Sequence, residues 1–201
     1  MNAKLQELTF ITSHPKKAAE LSWHLARPVT HRKLDLPEIQ SLDPHEIVAY
    51  KVREAYQQLK RPVLVEDFSI RFNALGALPG PLFKWFLEEL KPDGLCNLLN
   101  HYDTRVAFVH DCFAYCDGGE VMIFDGILEG VITPKPQGDY GYGVDSIFIP
   151  KGWSKTWGEM NKQEQIQSSV RSIGLEKLET YLKSHIDSAE LPSLIDSANT
   201  L

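Results

Sequence analysis

A mixed α/β protein is expected, on three observations. The chain opens with a short apolar run that breaks into a polar loop and then a helical pattern, "LTFITSHPKKAAELSWHL". A second amphipathic stretch is followed by a β-type run, Val63-Leu64-Val65. Farther on, "RVAFVHDCFAYCDGGEVMIFDGILEGVI" reads as two or three strands joined at Asp117-Gly118-Gly119, a long antiparallel hairpin region. With 201 residues, 43% of them hydrophobic, the chain suffices for one large domain or two small lobes around an ordinary core.

Taken in order, "LTFITSH" predicts a strand of about four residues that breaks into a loop. "PKKAAELSWHL" predicts a helix from the spacing of Ala18, Leu21 and Leu25, with Pro15 suited to its first turn. Thr12, Ser13 and His14 then lie on the loop at the helix N-terminus, and Lys16 and Lys17 lie in its opening turn. That grouping suits an anion, and equally a plain capped helix with solvated lysines. "LDLPEIQ" places Glu38 in a Pro-marked loop, and residues 43–59 form an amphipathic helix with Ile47, Tyr50, Val52, Ala55 and Leu59 inward.

The run Val63-Leu64-Val65 is expected to end on Glu66 and Asp67, before a loop holding Gly76, Pro79, Gly80 and Pro81. Carboxylates at a strand end can face a ligand crevice or simply water. "GPLFKWFLEELKPDGLCNLL" predicts helix with a break at Lys91-Pro92-Asp93-Gly94. Its aromatics Phe83, Trp85 and Phe86 are either core or an intersubunit contact. A Gly- and Pro-rich loop with Asp139, Tyr140, Tyr142 and Asp145 leads to a short strand at Ile147-Phe148-Ile149, and a last helix runs near Lys162 to Lys183. The expected organisation is one domain over residues 1–184 and a loose tail over 185–201.

A formal net charge of −6 argues against a general nucleic-acid or membrane-surface binder, so an anionic partner needs local lysines or a metal. Cys96, Cys112 and Cys116 make no disulfide framework, and the Cys112-x-x-x-Cys116 spacing has no second Cys or His pair at zinc-ligand distance in the sequence. Reduced core thiols and a cytoplasmic location follow. The first residues lack the apolar stretch of a signal peptide, and no window approaches the roughly 20 apolar residues of a membrane span.

Several blocks together resemble the inosine triphosphate pyrophosphatase family, house-cleaning enzymes that hydrolyse abnormal purine nucleoside triphosphates to a monophosphate and pyrophosphate. "ITSHPKKAAE" is similar to the family's Thr-x-Asn-x-x-Lys-x-x-Glu signature at Thr12, Lys17 and Glu20. "LDLPEIQ" is similar to the segment that supplies an acid, here Glu38. "VLVEDFSIRFNALGALPGP" resembles the Glu-Asp and Ala-Leu-Gly-Gly-Leu-Pro-Gly block, the most specific of the matches, and "KWFLEELKPDGL" continues it. The resemblance spans roughly residues 7–183 and implies a long twisted mixed sheet, flanked by helices in two lobes with an active cleft between them. It also implies a homodimer.

The resemblance implies a magnesium-dependent enzyme, with Mn²⁺ as the alternative ion. Glu38 and Asp67 would hold the metal, and Asp67 with Glu66 would act in catalysis, Asp67 orienting or deprotonating the attacking water. Thr12, His14, Lys17 and Lys51 would bind the triphosphate. Tyr142, Val144, Asp145, Gln165, Ser169, Val170 and Arg171 would surround the base. An incoming nucleoside triphosphate carries about four negative charges, which makes a cation and ammonium donors chemically necessary. Hard carboxylate oxygens are what Mg²⁺ prefers.

The sequence departs from the family pattern at named places. His14 stands for an Asn, Phe68 for the Thr or Ser after the catalytic acid, and Ala77 for the second Gly of the pair. Phe-Gly-Trp-Asp-Pro reads Tyr142-Gly143-Val144-Asp145-Ser146, Ser-His-Arg reads Ser169-Val170-Arg171, and a Lys-Asn pair aligns with Gln165-Ile166. These losses fall on the base-reading half, so three readings stand. One is a pyrophosphatase whose base preference is relaxed or shifted away from inosine; another is a catalytically weak relative that senses or sequesters a nucleotide. The third is a conventional inosine or xanthosine triphosphatase using substitute residues.

Overall fold

The structure, a computed structural model, describes residues 8–185. β1 (Leu8–Ile11) leads into α1 (Pro15–His24), whose Pro15 occupies the first turn and whose Ala18 and Leu21 face inward. β2 (Val29–Arg32) runs parallel to β1. α2 (Pro44–Leu59) is started by Asp43, whose carboxylate accepts the His45 amide at 2.9 Å; the helix buries Ile47, Val48, Val52 and Ala55. β3 (Val63–Phe72) is followed by a 3₁₀ turn at 73–75, β4 (Pro79–Gly80) and α3 (Phe83–Asn97). The expected break in α3 is present as a kink at Lys91 (φ 57°) ahead of Pro92. β5 (Val106–Cys116) and β6 (Met122–Ile132) form the long hairpin, and β7 (Phe148–Pro150), α4 (Lys162–Gln167) and α5 (Val170–His185) complete the chain.

The seven strands make one mixed sheet in the order β2-β1-β3-β5-β6-β7, with β4 added to β3. β1 is parallel to β2 and β3, and every pairing from β3 onward is antiparallel. On one edge of β3, β1 pairs with Val63 and Leu64 and β4 with Ile70 and Arg71, so residues 65–69 lie between the two. The sheet is therefore split at that point. α1 and α5 cover one face, packing Leu21, Leu175 and Leu178 on Leu64 and Phe113. α2 covers the other, on Val63, Val65, Cys112 and Ala114. Beyond the split, α3, β7 and the segment around Trp157 build a separate core on Ile70, Phe72 and Val109. These are the two lobes, joined through the long strands β3, β5 and β6.

Two expectations are corrected. Glu66 and Asp67 do not end a strand: β3 continues to Phe72 because every residue from Val63 to Phe72 is paired with β5. The last helix is two helices, broken at Ser168 and Ser169. There the Ser168 hydroxyl accepts from Trp157 Nε1 at 2.9 Å and donates back to the Glu164 carbonyl, holding the break against the core. The tail expected at 185–201 begins on the last residue of α5, and the rest of it lies outside the described residues. All three cysteines are free and buried, and among the described residues no helix is long and apolar enough to cross a membrane.

α5 reaches the sheet through two glycines. A Cβ on Gly126 of β6 would lie 2.0 Å from the Val170 carbonyl oxygen, and one on Gly174 would lie 2.9 Å from the Phe113 ring. This close approach sets the first turn of α5, which carries Val170 and Arg171. Gly126→Ala is expected to cost about 1–3 kcal/mol in urea unfolding, as overpacking against backbone does. Gly119→Ala, in the exposed β5–β6 turn where the nearest contact is a side-chain oxygen at 3.5 Å, should stay within about 0.5 kcal/mol. Equal stability of the two variants would contradict the close-packing account.

Candidate active site

The split in the sheet opens into a cleft of about 1410 Å³. Because adjacent residues of a strand point to opposite faces, Glu66 and Asp67 meet different helices. Asp67 faces α2, and Lys51 Nζ lies 2.5 Å from its Oδ1. Glu66 faces α1 and α5: Arg171 Nε donates to Oε1 at 2.9 Å and Nη2 reaches Oε2 at 3.4 Å, while Lys17 Nζ stands 3.3 Å from Oε1. Arg171 also approaches Glu20 at 3.6 Å. Glu38, from its loop, lines the same cleft.

Burial opposes ionisation of Glu66, but Arg171 and then Lys17 outweigh it and hold the carboxyl below its usual range. Asp67 goes the other way. Burial raises it by more than Lys51 lowers it, and the negative charges of Glu38 and Glu66 add to the rise. A third acid, Asp111 on β5, was not singled out from the sequence. It is 2% exposed, its Oδ1 is buried without a hydrogen-bond partner, and burial and then Glu66 hold it well above the ordinary aspartate value. The cleft thus sets a carboxyl of lowered proton affinity, Glu66, beside one of raised proton affinity, Asp111. A lone Asp inside the apolar run "FVHDCF", alternating with Phe113 onto one face, was the available signal.

Of the candidate phosphate-binding residues, His14, Lys17 and Lys51 line the cleft. Lys17 is in the lining and Lys16 is not. Thr12 is not in the lining; its hydroxyl accepts the His14 amide at 3.0 Å and shapes the turn into α1. Gly76 and Gly80 have φ of 68° and 57°, the left-handed region that glycine takes without strain. Ala77 is outside that region, so the alanine in place of the second family glycine costs nothing in backbone conformation. Phe68 lines the cleft and packs edge-on against Phe83, ring centroids 6.0 Å apart. Of the three aromatics in question, Phe83 is core, Phe86 packs partly buried against it, and Trp85 is 56% exposed.

The residues expected around a base also line the cleft. Tyr142 is exposed, and its amide donates to Asp145 Oδ2 at 2.7 Å. Burial raises Asp145 above the usual aspartate value. Val144 and Val170 are buried, the Gln165 amide donates to the Trp157 carbonyl at 2.9 Å, and the Ser169 hydroxyl accepts the Ser172 amide. The Arg171 guanidinium, also in the lining, contacts Glu66 and Glu20.

The fold is similar to that of the Staphylococcus aureus Ham1 protein, with a TM-score of 0.78 at 21% identity over 89% of this chain and 99% of that one. A Ham1 protein from Coxiella burnetii aligns over the same shares, with a TM-score of 0.78 at 24% identity. A nucleoside-triphosphatase / dITP/XTP pyrophosphatase from Mycobacterium abscessus aligns over 86% of this chain and 98% of its own, with a TM-score of 0.69 and 26% identity. Two Trypanosoma cruzi proteins, inosine triphosphate pyrophosphatases 2 and 1, are 41% and 40% identical over 181 residues, 87% of this chain and 91% of theirs. A model of the Ham1 family matches residues 8–181, spanning both lobes and the whole cleft, and the chain belongs to the Ham1 family.

Proposed function

We infer that the chain is a nucleoside triphosphate pyrophosphatase, releasing a monophosphate and pyrophosphate, and that it needs a divalent cation. The observation that carries the cation requirement is the charge of the cleft. Leaving aside Asp111, whose proton affinity is strongly raised, its lining holds six carboxylates (Glu20, Glu38, Glu66, Asp67, Asp145, Glu159) against five cations (Lys17, Lys51, Lys84, Lys162, Arg171). A substrate with about four negative charges cannot enter such a cleft on lysines alone. The oxygen donors fit a hard ion, and an ion between Glu38 and Asp67 would offset both the burial that chiefly raises Asp67 and the repulsion by Glu38 and Glu66 that adds to it. Bound there, Mg²⁺, or Mn²⁺ in its place, would neutralise phosphate charge and stabilise the pyrophosphate that leaves.

The chain's own residues supply the remainder. Asp67, kept basic by its raised proton affinity and aimed by Lys51, accepts the proton of the attacking water. Lys17, Lys51 and the N-terminus of α1 bind the triphosphate, with Glu66 and Asp67 presetting the two ammonium groups before substrate arrives. Glu66 itself is clamped by Arg171 and acts on position and charge. Relaxed base preference is supported by the residues expected around a base, of which Val144 and Val170 are apolar and Gln165, Ser169 and Arg171 are engaged with protein groups. Phe68 beside Asp67 favours a second reading, a catalytically weak nucleotide-binding relative. The exposed Trp85 supports a homodimer contact, residues 1–184 are read as one functional domain, and the three buried free thiols support a cytoplasmic, reducing location.

Pyrophosphate release from a panel of nucleotides tests the assignment. Turnover is expected with Mg²⁺, lost on chelation and restored by Mg²⁺ or Mn²⁺; tight nucleotide binding with no release from any substrate would leave the second reading. Asp67→Asn is expected to keep the fold and nucleotide binding and to lower kcat by at least about a hundredfold. A loss under about fivefold in steady-state kinetics would remove Asp67 from the reaction. The ratio of kcat/KM for inosine over adenosine triphosphate is expected below about a hundred, since each absent polar contact costs about 1–3 kcal/mol of discrimination. A larger ratio would restore the conventional specificity.

A further inference from the structure

On the α2 face of the sheet, away from the Glu66 carboxylate, four residues from three elements bring ligand atoms within 4.8 Å of one another: His45, His110, Cys112 and Asp125. The convergence follows from the fold. His110 and Cys112 are two apart on β5 and so share a face, Asp125 of β6 sits directly opposite Cys112, and the first turn of α2 lowers His45 onto them. His45 Nε2 is 2.9 Å from Asp125 Oδ1 and His110 Nε2 is 2.5 Å from the same oxygen, with the two imidazoles edge to face at 5.9 Å. Cys112 is fully buried beneath them, whereas His45 is half exposed and leaves an entry path.

We propose that this cluster is a tetrahedral site for a borderline-soft divalent ion of the zinc class, a structural site that ties the start of α2 to β5 and β6. Two imidazoles, a thiol and a carboxylate form a donor set that zinc takes and that magnesium, which seeks oxygen, does not. Bonds of about 2.0–2.3 Å set tetrahedral ligand atoms about 3.3–3.8 Å apart, so the side chains need to move by about an ångström. With the ion bound, each neutral imidazole presents Nε2 and carries its proton on Nδ1, Asp125 binds as carboxylate, and the Cys112 thiol releases its proton to solvent. The site is distinct from the oxygen-lined cleft, although Cys112 stands opposite Asp67 across the β3–β5 pairing.

The test uses the full chain, stripped of metal and then given ZnCl₂ with Mg²⁺ in excess throughout, so that oxygen-only sites are filled. Equilibrium dialysis should find one zinc per chain, and zinc should raise Tm by about 5 °C or more. Cobalt substitution should produce a thiolate charge-transfer band. The band should vanish in Cys112→Ser, and zinc binding should weaken at least about a hundredfold in His45→Ala, whose half-exposed position leaves the fold intact. Well under one bound zinc, or zinc bound equally by wild type and His45→Ala, would overturn the proposal.

Discussion

The Glu66 carboxylate is the constraint around which the structure is arranged. Its side chain is 5% exposed in the middle of a central strand, and a charge there is tolerated only with partners. Arg171 supplies a two-point contact and Lys17 a third, so α5 and α1 are drawn to the same point of β3. For Arg171 to reach, α5 must lie almost on the sheet, which Gly126 and Gly174 permit. Taking one partner from a buried pair of this kind costs about 3–5 kcal/mol, more than the pair's net contribution, because the other charge is left stranded.

The same strand explains why there is a cleft. β1 and β4 occupy the two ends of one edge of β3 and leave the middle open, and the apolar cores on either side of that gap are separate clusters. Polar side chains can converge there without being buried in a core. The pleat then sends Glu66 and Asp67 to opposite faces, where α5 and α2 present a guanidinium and an ammonium. Two adjacent residues thereby acquire opposite proton affinities, lowered in Glu66 and raised in Asp67, although both are carboxylates a few ångströms from the same space. The difference between the two carboxyls follows from environment alone.

The departures from the family pattern divide in the same way. Ala77 and the Thr12 turn leave the phosphate side mechanically intact. Val144 and Val170, which stand where the family pattern has Trp and His, are packed in the core. A membership in the Ham1 family therefore carries the chemistry of the triphosphate more securely than it carries the choice of base.

Local patterns were sufficient for much of the molecule. Pro15, the spacing of Ala18, Leu21 and Leu25, the Asp43-Pro44 start of α2, the Lys91-Pro92 kink and the Asp117-Gly118-Gly119 hairpin each act through neighbours in the chain, and each is where sequence reasoning put it. Glu38, Glu66, Asp67, Lys17 and Lys51, singled out through the resemblance to a family, all line the one cleft. What tertiary structure alone decided depends on partners far away in sequence. β3 extends past Asp67 because β5, some 45 residues later, continues to pair with it, and the proton affinity of Asp111 is raised by burial in the assembled sheet and then by Glu66 on the same face. Arg171 pairs with Glu66, 105 residues away, and His45, His110, Cys112 and Asp125 meet across three elements. No local pattern encodes such meetings: burial and charge compensation are properties of the assembled sheet, and they exist only once its register is set.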